Sequence, residues 1–204
     1  MGSAWHGSET WAATSCTWVQ RTEVVVRSHC CLRFTQVDAP NVLIRLARPD
    51  DWERVRDIRL RSLADTPNAY GSTIELEAAY GQPEWVAWIE GWEGATNVMY
   101  LADADGASVG MAVGSREGDE QDAHLYAMWV DPAWRTRGVG SRLVHEVLAW
   151  GRSWGSRWVI LGGHRESNDG AARFYERLGF ADTGERHRLR EGSPLQVRIL
   201  RREP

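Results

Sequence analysis

The strongest constraint in the sequence is the stretch from Ala123 to Val147, AHLYAMWVDPAWRTRGVGSRLVHEV. Its apolar run, residues 124–130, ends at Asp131-Pro132 and predicts a buried strand followed by a turn. A loop with two arginines and two glycines comes next, and apolar residues then recur at helical spacing. Free N–H groups at the start of a helix, beside glycines, bind anions well. The stretch therefore predicts a site for a phosphorylated ligand.

Two common phosphate-binding motifs do not match this loop. A Rossmann fingerprint needs a third glycine at the position where Leu143 stands. A P-loop needs Gly-Lys-Ser/Thr, and the chain contains no lysine. The motif that is present is Arg-x-x-Gly-x-Gly, from Arg135 to Gly140. Together with the preceding LYAMWVDP, it resembles the acyl-CoA signature of the GNAT superfamily of N-acetyltransferases.

A second block, residues 168–180 with the sequence NDGAARFYERLGF, also resembles GNAT proteins. It matches the pattern Asn-x-x-Ala-x-x-x-Tyr-x-x-x-Gly-Phe at every fixed position. Asn168 and Tyr175 are seven residues apart and share one face of the predicted helix. The resemblance covers roughly residues 42–202. It implies an α/β GNAT fold with a mixed, mostly antiparallel central sheet, splayed between strands 4 and 5, and helices on both faces.

The resemblance further implies an N-acetyltransferase that uses acetyl-CoA and no metal. In such a protein the pantetheine arm pairs with the backbone of the central strand, and the glycine loop with its two arginines holds the pyrophosphate. A backbone N–H near the middle of that strand would stabilise the oxyanion of the tetrahedral intermediate. The implied cofactor-binding residues are Met128, Trp129, Val130, Arg135, Arg137, Gly138, Val139, Gly140, Ser141 and Asn168.

Three residues are predicted to be catalytic. The resemblance implies that Tyr175 protonates the leaving thiolate. A base must also take a proton from the amine, and His124 stands where many relatives carry a glutamate, so it is the first candidate. His164 is the second, because alternation along a strand would place it on one face with Ile160 and Gly162, where the central strands separate. A water molecule relayed by the backbone is the third.

The acceptor site is expected in the segment after the first helix and in the last hairpin. Aromatic side chains there would line a wall for a cationic amine, or would form the core, with the nearby acids on a solvated face. The aromatic residues are Tyr70, Trp85, Trp88 and Trp92, and the acids are Glu75, Glu77 and Glu84. No cysteine resembles a nucleophile, so direct transfer in a ternary complex is predicted.

A small-molecule amine is the preferred acceptor, such as an amino acid, a polyamine or an amine-bearing antibiotic. Acetylation of a protein α-amine or lysine is one alternative, and a catalytically silent CoA-binding module is another. A net charge of −4 argues against nucleic-acid binding. The oligomeric state, including a homodimer, is left open by the sequence.

The composition also bears on the location and the domain organisation. The chain shows no apolar run long enough to span a membrane and no signal-peptide order. Three cysteines, all within the first 31 residues, make no disulfide framework. These features predict a cytoplasmic protein without membrane association. Residues 1–41 are predicted to be an extension of unknown role, and residues 42–204 a GNAT domain.

Overall fold

The structure is a computed structural model that describes residues 41–117, 121–165, 169–189 and 192–204. The predicted N-terminal extension lies outside the described residues, apart from its last position. The elements in chain order are β1 Leu43–Leu46, α1 Trp52–Asp65, α2 Ile74–Ala78, α3 Gln82–Glu90, β2 Asn97–Ala104, β3 Ala107–Arg116, β4 Ala123–Val130, α4 Val139–Ser153, β5 Val159–Arg165, α5 Asp169–Arg177, β6 Ala181–Arg188 and β7 Gln196–Arg202. Short 3-10 turns at Pro49–Asp51 and Pro132–Trp134 precede α1 and α4.

The strands form one mixed sheet in the order β1-β2-β3-β4-β5-β7-β6. Neighbouring strands are antiparallel except for β4 and β5, which run parallel. The tight turn between β2 and β3 is Asp105-Gly106, with φ angles of 50° and 81°. Asp-Gly favours such a turn because both central positions need positive φ. The predicted fold class, mostly antiparallel with helices, is confirmed.

The two central strands separate after a short paired stretch. β4 and β5 pair only from Ala123 opposite Val159 to Leu125 opposite Leu161. Beyond Leu125, β4 turns away from β5, and its pairing with β3 shifts by a bulge in which Ala127 has a φ of 47°. Among the described residues, no strand pairs with the β5-facing edge of residues 126–130. The splay predicted between strands 4 and 5 is therefore present.

Helices cover both faces of the sheet because their apolar residues recur at helical spacing. On one face, α4 packs against β2, β3 and β4, and its buried residues there are Leu143, Val144, Val147 and Leu148. On the other face, α1 and α3 bury Val55, Ile58, Trp85 and Ile89 against β2, β3 and β4. None of the helices in the described residues combines the length and the hydrophobicity that a membrane span requires.

Candidate active site

The N-terminus of α4 lies at the end of β4 and presents free backbone donors. Gly138 is the residue before the helix, and its carbonyl accepts the first intrahelical bond, from the N–H of Arg142 at 3.1 Å. The N–H groups of Val139, Gly140 and Ser141 therefore have no intrahelical partner. The first turn contains no acidic residue. The partial positive charge of the helix dipole is thus available to an anion at this end.

The two glycines of the loop are required for different reasons. Gly138 has a φ of 80°, and a Cβ atom there would meet no heavy atom within 4 Å. Its backbone conformation, rather than crowding, excludes other residues. At Gly140 a Cβ atom would lie 2.9 Å from Cε of Met128 and 3.2 Å from Cζ of Phe174. Gly140 therefore lets α4 approach β4 and α5 closely, which brings the helix N-terminus to the unpaired edge of β4.

The two arginines of the loop have different surroundings. Arg135 donates from Nε to the carbonyl of Val130 at 2.9 Å, and its Nη2 forms an ion pair with Asp65 at the end of α1. Arg137 is exposed, and its guanidinium lies 5.2 Å from the centre of the Trp134 ring. The prediction that both side chains hold a pyrophosphate stays a prediction. The structure gives Arg135 an internal role as well.

Asp65 joins α1 to β4 and to the glycine loop. Besides Arg135, it accepts a hydrogen bond from Nε1 of Trp129 at 2.9 Å. Burial opposes ionisation of Asp65, but the bonds from Trp129 and Arg135 outweigh it and hold the pKa of the carboxyl below its usual range. The carboxylate therefore stays charged and keeps these three segments together.

Arg61 makes a second connection between α1 and the end of β4. Arg61 of α1 donates to Oδ2 of Asp131 at 2.6 Å and to the carbonyl of Ser108 at 2.7 Å. Its guanidinium also lies 5.5 Å from the centre of the Trp129 ring. Arg61 and Asp65 are one helical turn apart, so the last turns of α1 are attached to the end of β4 at two points.

Tyr175 lies on α5 and is 7% exposed. Its ring packs edge-on against Phe174 at 4.9 Å and against Phe180 at 5.6 Å between ring centres. Burial, and secondarily the neighbouring Tyr70, raise the pKa of Tyr175 well above its usual range. The hydroxyl therefore keeps its proton at neutral pH, as a proton donor must. Asn168, the other predicted member of this block, lies outside the described residues.

His124 lies on β4, in register with Ile160, one pair before the last β4–β5 pair. The half-buried imidazole stacks on Tyr126 with 5.8 Å between ring centres and 8° between planes. Tyr126 in turn lies 6.3 Å from Trp92, which follows α3. The imidazole is therefore on the face of the sheet covered by α1 and α3.

The register of β5 is irregular just before His164. Gly162 pairs with Ile199, whereas His164 pairs with Arg198, so the register of β5 shifts between them. Strict alternation therefore does not extend through Gly163, so spacing alone does not place His164 on one face with Ile160 and Gly162. Two successive glycines permit such a bulge because they lack side chains that would hold the register. A catalytic role for His164 stays a prediction.

Aromatic rings form a continuous row on the face of α1 and α3. Successive ring centres are 5.6, 5.8, 6.2 and 6.3 Å apart, and most of the contacts are edge-on. In order the rings belong to Tyr80, Trp85, Trp88, Trp92 and Tyr126. Trp85 is fully buried and belongs to the core, while Trp88 and Trp92 are only half-buried. Trp85 is thus the enclosed member of the row, and its other four rings are partly accessible.

A buried ion pair under this row was not predicted. Arg59 donates from Nε to Oε2 of Glu77 at 2.8 Å and from Nη2 to Oε1 at 2.7 Å. The two side chains are 7% and 4% exposed, so the expectation that Glu77 lies on a solvated face is wrong. One signal was present in the sequence: Arg59 falls between Val55 and Leu63 at four-residue spacing, on the apolar side of α1.

The loop after α1 reaches the last hairpin. A Cβ atom at Gly71 would lie 3.8 Å from the carbonyl oxygen of Leu189, which follows β6. Tyr70, beside it, is buried and contributes to the raised pKa of Tyr175. The two segments in which the acceptor site was expected therefore meet each other next to the candidate acid.

Comparison with known proteins agrees with this arrangement. A family model described as the acetyltransferase (GNAT) family matches residues 52–180, which is well over half of the chain. The chain belongs to the GNAT family. The match includes the splayed strands, the glycine loop and the helix that carries Tyr175. The resemblance of the two sequence blocks is confirmed at the level of the family.

Related GNAT sequences are only partly covered. The chain is 38% identical over 88 residues to an uncharacterized N-acetyltransferase of Mycobacterium tuberculosis, a match covering 43% of this chain and 55% of that protein. It is 33% identical over 104 residues to the N-alpha-acetyltransferase RimI of the same species, covering 50% and 63%. The chain thus spans about half the length of the curated relatives it matches.

Solved GNAT structures share the fold over most of both chains. An acetyltransferase of the GNAT family from Streptococcus pneumoniae superposes with a TM-score of 0.68 at 18% identity, covering 79% of this chain and 98% of that one. The yncA protein of Salmonella typhimurium, solved with its cofactor acetyl-CoA, gives 0.66 at 19% identity, covering 80% and 94%. At these identities the likeness concerns the fold.

Proposed function

We propose that the chain is an acetyl-CoA-dependent N-acetyltransferase acting on a primary amine. The observation that carries the proposal is the unpaired edge of β4 directly beside the N-terminus of α4. An extended ligand arm can add to such an edge as a strand does, and its anionic end then meets the free N–H groups of the helix. Family membership and the acetyl-CoA bound to the yncA protein support the same choice of donor.

The residues of the site fit a ligand of this shape. Backbone groups of Met128 and Val130 would pair with the pantetheine arm, and the N–H groups of the 138–141 turn would hold the pyrophosphate. A Cβ atom at Gly138 would project into space that no heavy atom occupies within 4 Å. Exposed Arg137 adds positive charge to this turn. When bound, acetyl-CoA supplies an activated acetyl thioester.

The residues around the splay divide the proton transfers between them. His124 takes the proton that the amine loses on attack. A backbone N–H near Met128 or Trp129 donates to the developing oxyanion. Tyr175, kept protonated by burial, donates its proton to the departing sulfur. The acetyl group would pass directly from the thioester to the amine, and CoA would leave as the free thiol. No covalent enzyme intermediate would form.

The acceptor we propose is a small-molecule amine. The backbone at Gly71 lies close enough to Leu189 that an added Cβ atom would be 3.8 Å from its carbonyl oxygen, which narrows the approach. The aromatic row and its buried ion pair occupy the face beneath α1 and α3. The alternative is a protein N-terminal amine, which the name of the RimI relative favours. A protein acceptor would need an open groove between the Gly71 and Leu189 segments.

Calorimetry with acetyl-CoA, CoA and dephospho-CoA tests the donor, and thiol release with a panel of amines tests transfer. Ser141→Glu places a carboxylate in the first turn of α4 and should weaken binding by about tenfold or more. Ser153→Glu makes the same change at the exposed far end of the same helix and should leave binding unchanged. Equal effects of the two variants would remove the helix N-terminus from the argument. Tight binding with no turnover on any amine would instead indicate a silent CoA-binding module.

A further inference from the structure

The buried guanidinium of Arg59 has hydrogen-bonding capacity that the protein does not use. A guanidinium carries five N–H donors in one plane. Glu77 takes one from Nε and one from Nη2, on the side of the group. Nη1 makes no hydrogen bond to any of the residues that the structure describes. The two N–H groups of Nη1 and the second N–H of Nη2 are left over, and they include the terminal fork of the side chain.

The surroundings of Arg59 hold its guanidinium in place and leave the terminal fork available to a ligand. The Arg59 side chain is more than nine-tenths buried, yet its Nη1 is not one of the fully buried polar atoms that lack a partner in the described residues. The terminal fork is therefore the accessible end of an otherwise enclosed group. Aromatic faces cover the guanidinium, with its Cζ 4.6 Å from the centre of the Tyr70 ring and 5.6 Å from that of Trp88. These faces hold the group in place and attract its charge, but they accept no N–H···O bond.

The position of Arg59 connects it to the proposed acetyl transfer. Tyr70 stacks on the guanidinium and is also the residue that, besides burial, raises the pKa of Tyr175. Trp88, the other ring that contacts the guanidinium, belongs to the aromatic row that continues to Tyr126 and His124. Arg59 therefore lies between the candidate acid and the aromatic wall, on the face of the sheet that carries the candidate base.

We infer that the terminal fork of Arg59 binds a carboxylate of the acceptor, so that the amine substrate is an amino acid or a similar amine that bears a free carboxylate. A carboxylate matches the fork with two parallel charge-assisted hydrogen bonds. Glu77 has both oxygens engaged by Arg59, so this cluster offers no free carboxylate to an ammonium group. It therefore recognises the anionic end of the acceptor, and the amine is left to point toward the thioester.

This inference rests on the proposed function, but its test separates the two. The first measurement needs no substitution: kcat/KM by thiol release for a panel of α-amino acids and for their matched α-amides. The acids should be preferred by about tenfold or more, because an amide offers one neutral acceptor atom in place of a charged pair. Comparable rates for acids and amides would overturn the inference and leave the N-acetyltransferase intact.

The second measurement uses Arg59→Lys, which keeps the positive charge beside Glu77 but removes the fork. This variant should abolish the preference for acids by raising the KM of the acids. The kcat for the amides should change less. Arg56→Lys, at an exposed position one turn earlier on α1, is the control and should retain the preference. Loss of the preference in both variants would overturn the inference. Thermal unfolding of both variants shows that each is folded when assayed.

Binding provides a readout that does not depend on turnover. Calorimetric titration with the same amino acids should show saturable binding that Arg59→Lys weakens and Arg56→Lys does not. Such binding without thiol release would support the carboxylate site and overturn the proposed acetyl transfer. Turnover of polyamines with neither binding nor turnover of α-amino acids would overturn the carboxylate site and support the transfer.

Discussion

Glu77→Gln is expected to destabilise the protein far more than a single polar substitution usually does. Glutamine has nearly the same shape, so the change removes the charge without leaving a cavity. Two donors of Arg59, Nε and Nη2, lie 2.8 and 2.7 Å from the carboxylate oxygens of Glu77. In the variant one of these donors would keep an acceptor, and the other would face the NH2 group of the amide. A charge-assisted bond is lost and a buried cation is left without its counter-charge.

The size of the effect follows from the burial of both partners. Because the two side chains are 7% and 4% exposed, solvent compensates little of the loss. Breaking one partner of a buried pair costs about 3–5 kcal/mol, and the remaining acceptor of glutamine favours the lower limit, about 3 kcal/mol. α2 has only five residues, Ile74–Ala78, and depends on this contact for its position. Part of the loss should therefore appear as local opening of α2.

Urea unfolding followed by circular dichroism measures the global part, and amide hydrogen exchange at 74–80 measures the local part. Asp57→Asn, which removes an exposed i,i+4 partner of Arg61, is the control and should cost less than about 1 kcal/mol. The double variant Arg59→Met with Glu77→Leu should recover most of the loss, since it removes both buried charges. A change below about 1 kcal/mol for Glu77→Gln, with unchanged exchange in α2, would refute the reasoning.

Three further outcomes are expected. Tyr175→Phe should lower kcat by about a hundredfold or more with acetyl-CoA affinity unchanged, and an equal loss in both would make the residue structural. Arg135→Ala should lower the melting temperature because it frees Asp65 and the Val130 carbonyl, whereas Arg137→Ala should mainly weaken acetyl-CoA binding; the reverse split in calorimetry and thermal melts would contradict this. Burial raises the pKa of Tyr70 and Tyr175, so the unfolded chain releases these protons first and the unfolding free energy should fall above about pH 10. Urea unfolding at neutral and alkaline pH detects that fall without interference from lysine, which the chain lacks; a constant free energy would contradict it.

The fold was predictable wherever the signal is local. The apolar run before Asp131, the turn at Asp105-Gly106 and the stop at Gly179 each depend on a few neighbouring residues, and each agrees with the structure. The glycine loop belongs to the same class, because its geometry follows from Gly138 and the helix that begins after it. The parallel pairing and its early end followed from the resemblance of the two blocks, rather than from periodicity.

The rest of the site depends on contacts between distant residues. Arg135 and Asp65 are 70 positions apart, and nothing near either of them indicates the other. Glu77 lies in the short segment IELEAAY, in which acidic and apolar residues alternate, so only its partner Arg59, on an apolar face, gave any sign of burial. The register shift at Gly163 means that alternation along β5 could not predict the face of His164. A bulge adds one residue to a strand without changing its composition, so nothing in the sequence indicated it.

The two attachments of α1 also determine which parts of the molecule can move against each other. Arg61 and Asp65 tie the end of this helix to β4 and to the loop before α4, so a displacement of one carries the others with it. Where we propose that the acceptor enters, by contrast, only an added Cβ atom on Gly71 would reach van der Waals distance of the Leu189 carbonyl oxygen. Entry and exit of the acceptor amine that we propose should therefore proceed by separation of these two segments, while α1 stays fixed to the sheet. The rate of acceptor exchange would then depend on fast motion of the loops that contain Gly71 and Leu189, rather than on slow displacement of a helix.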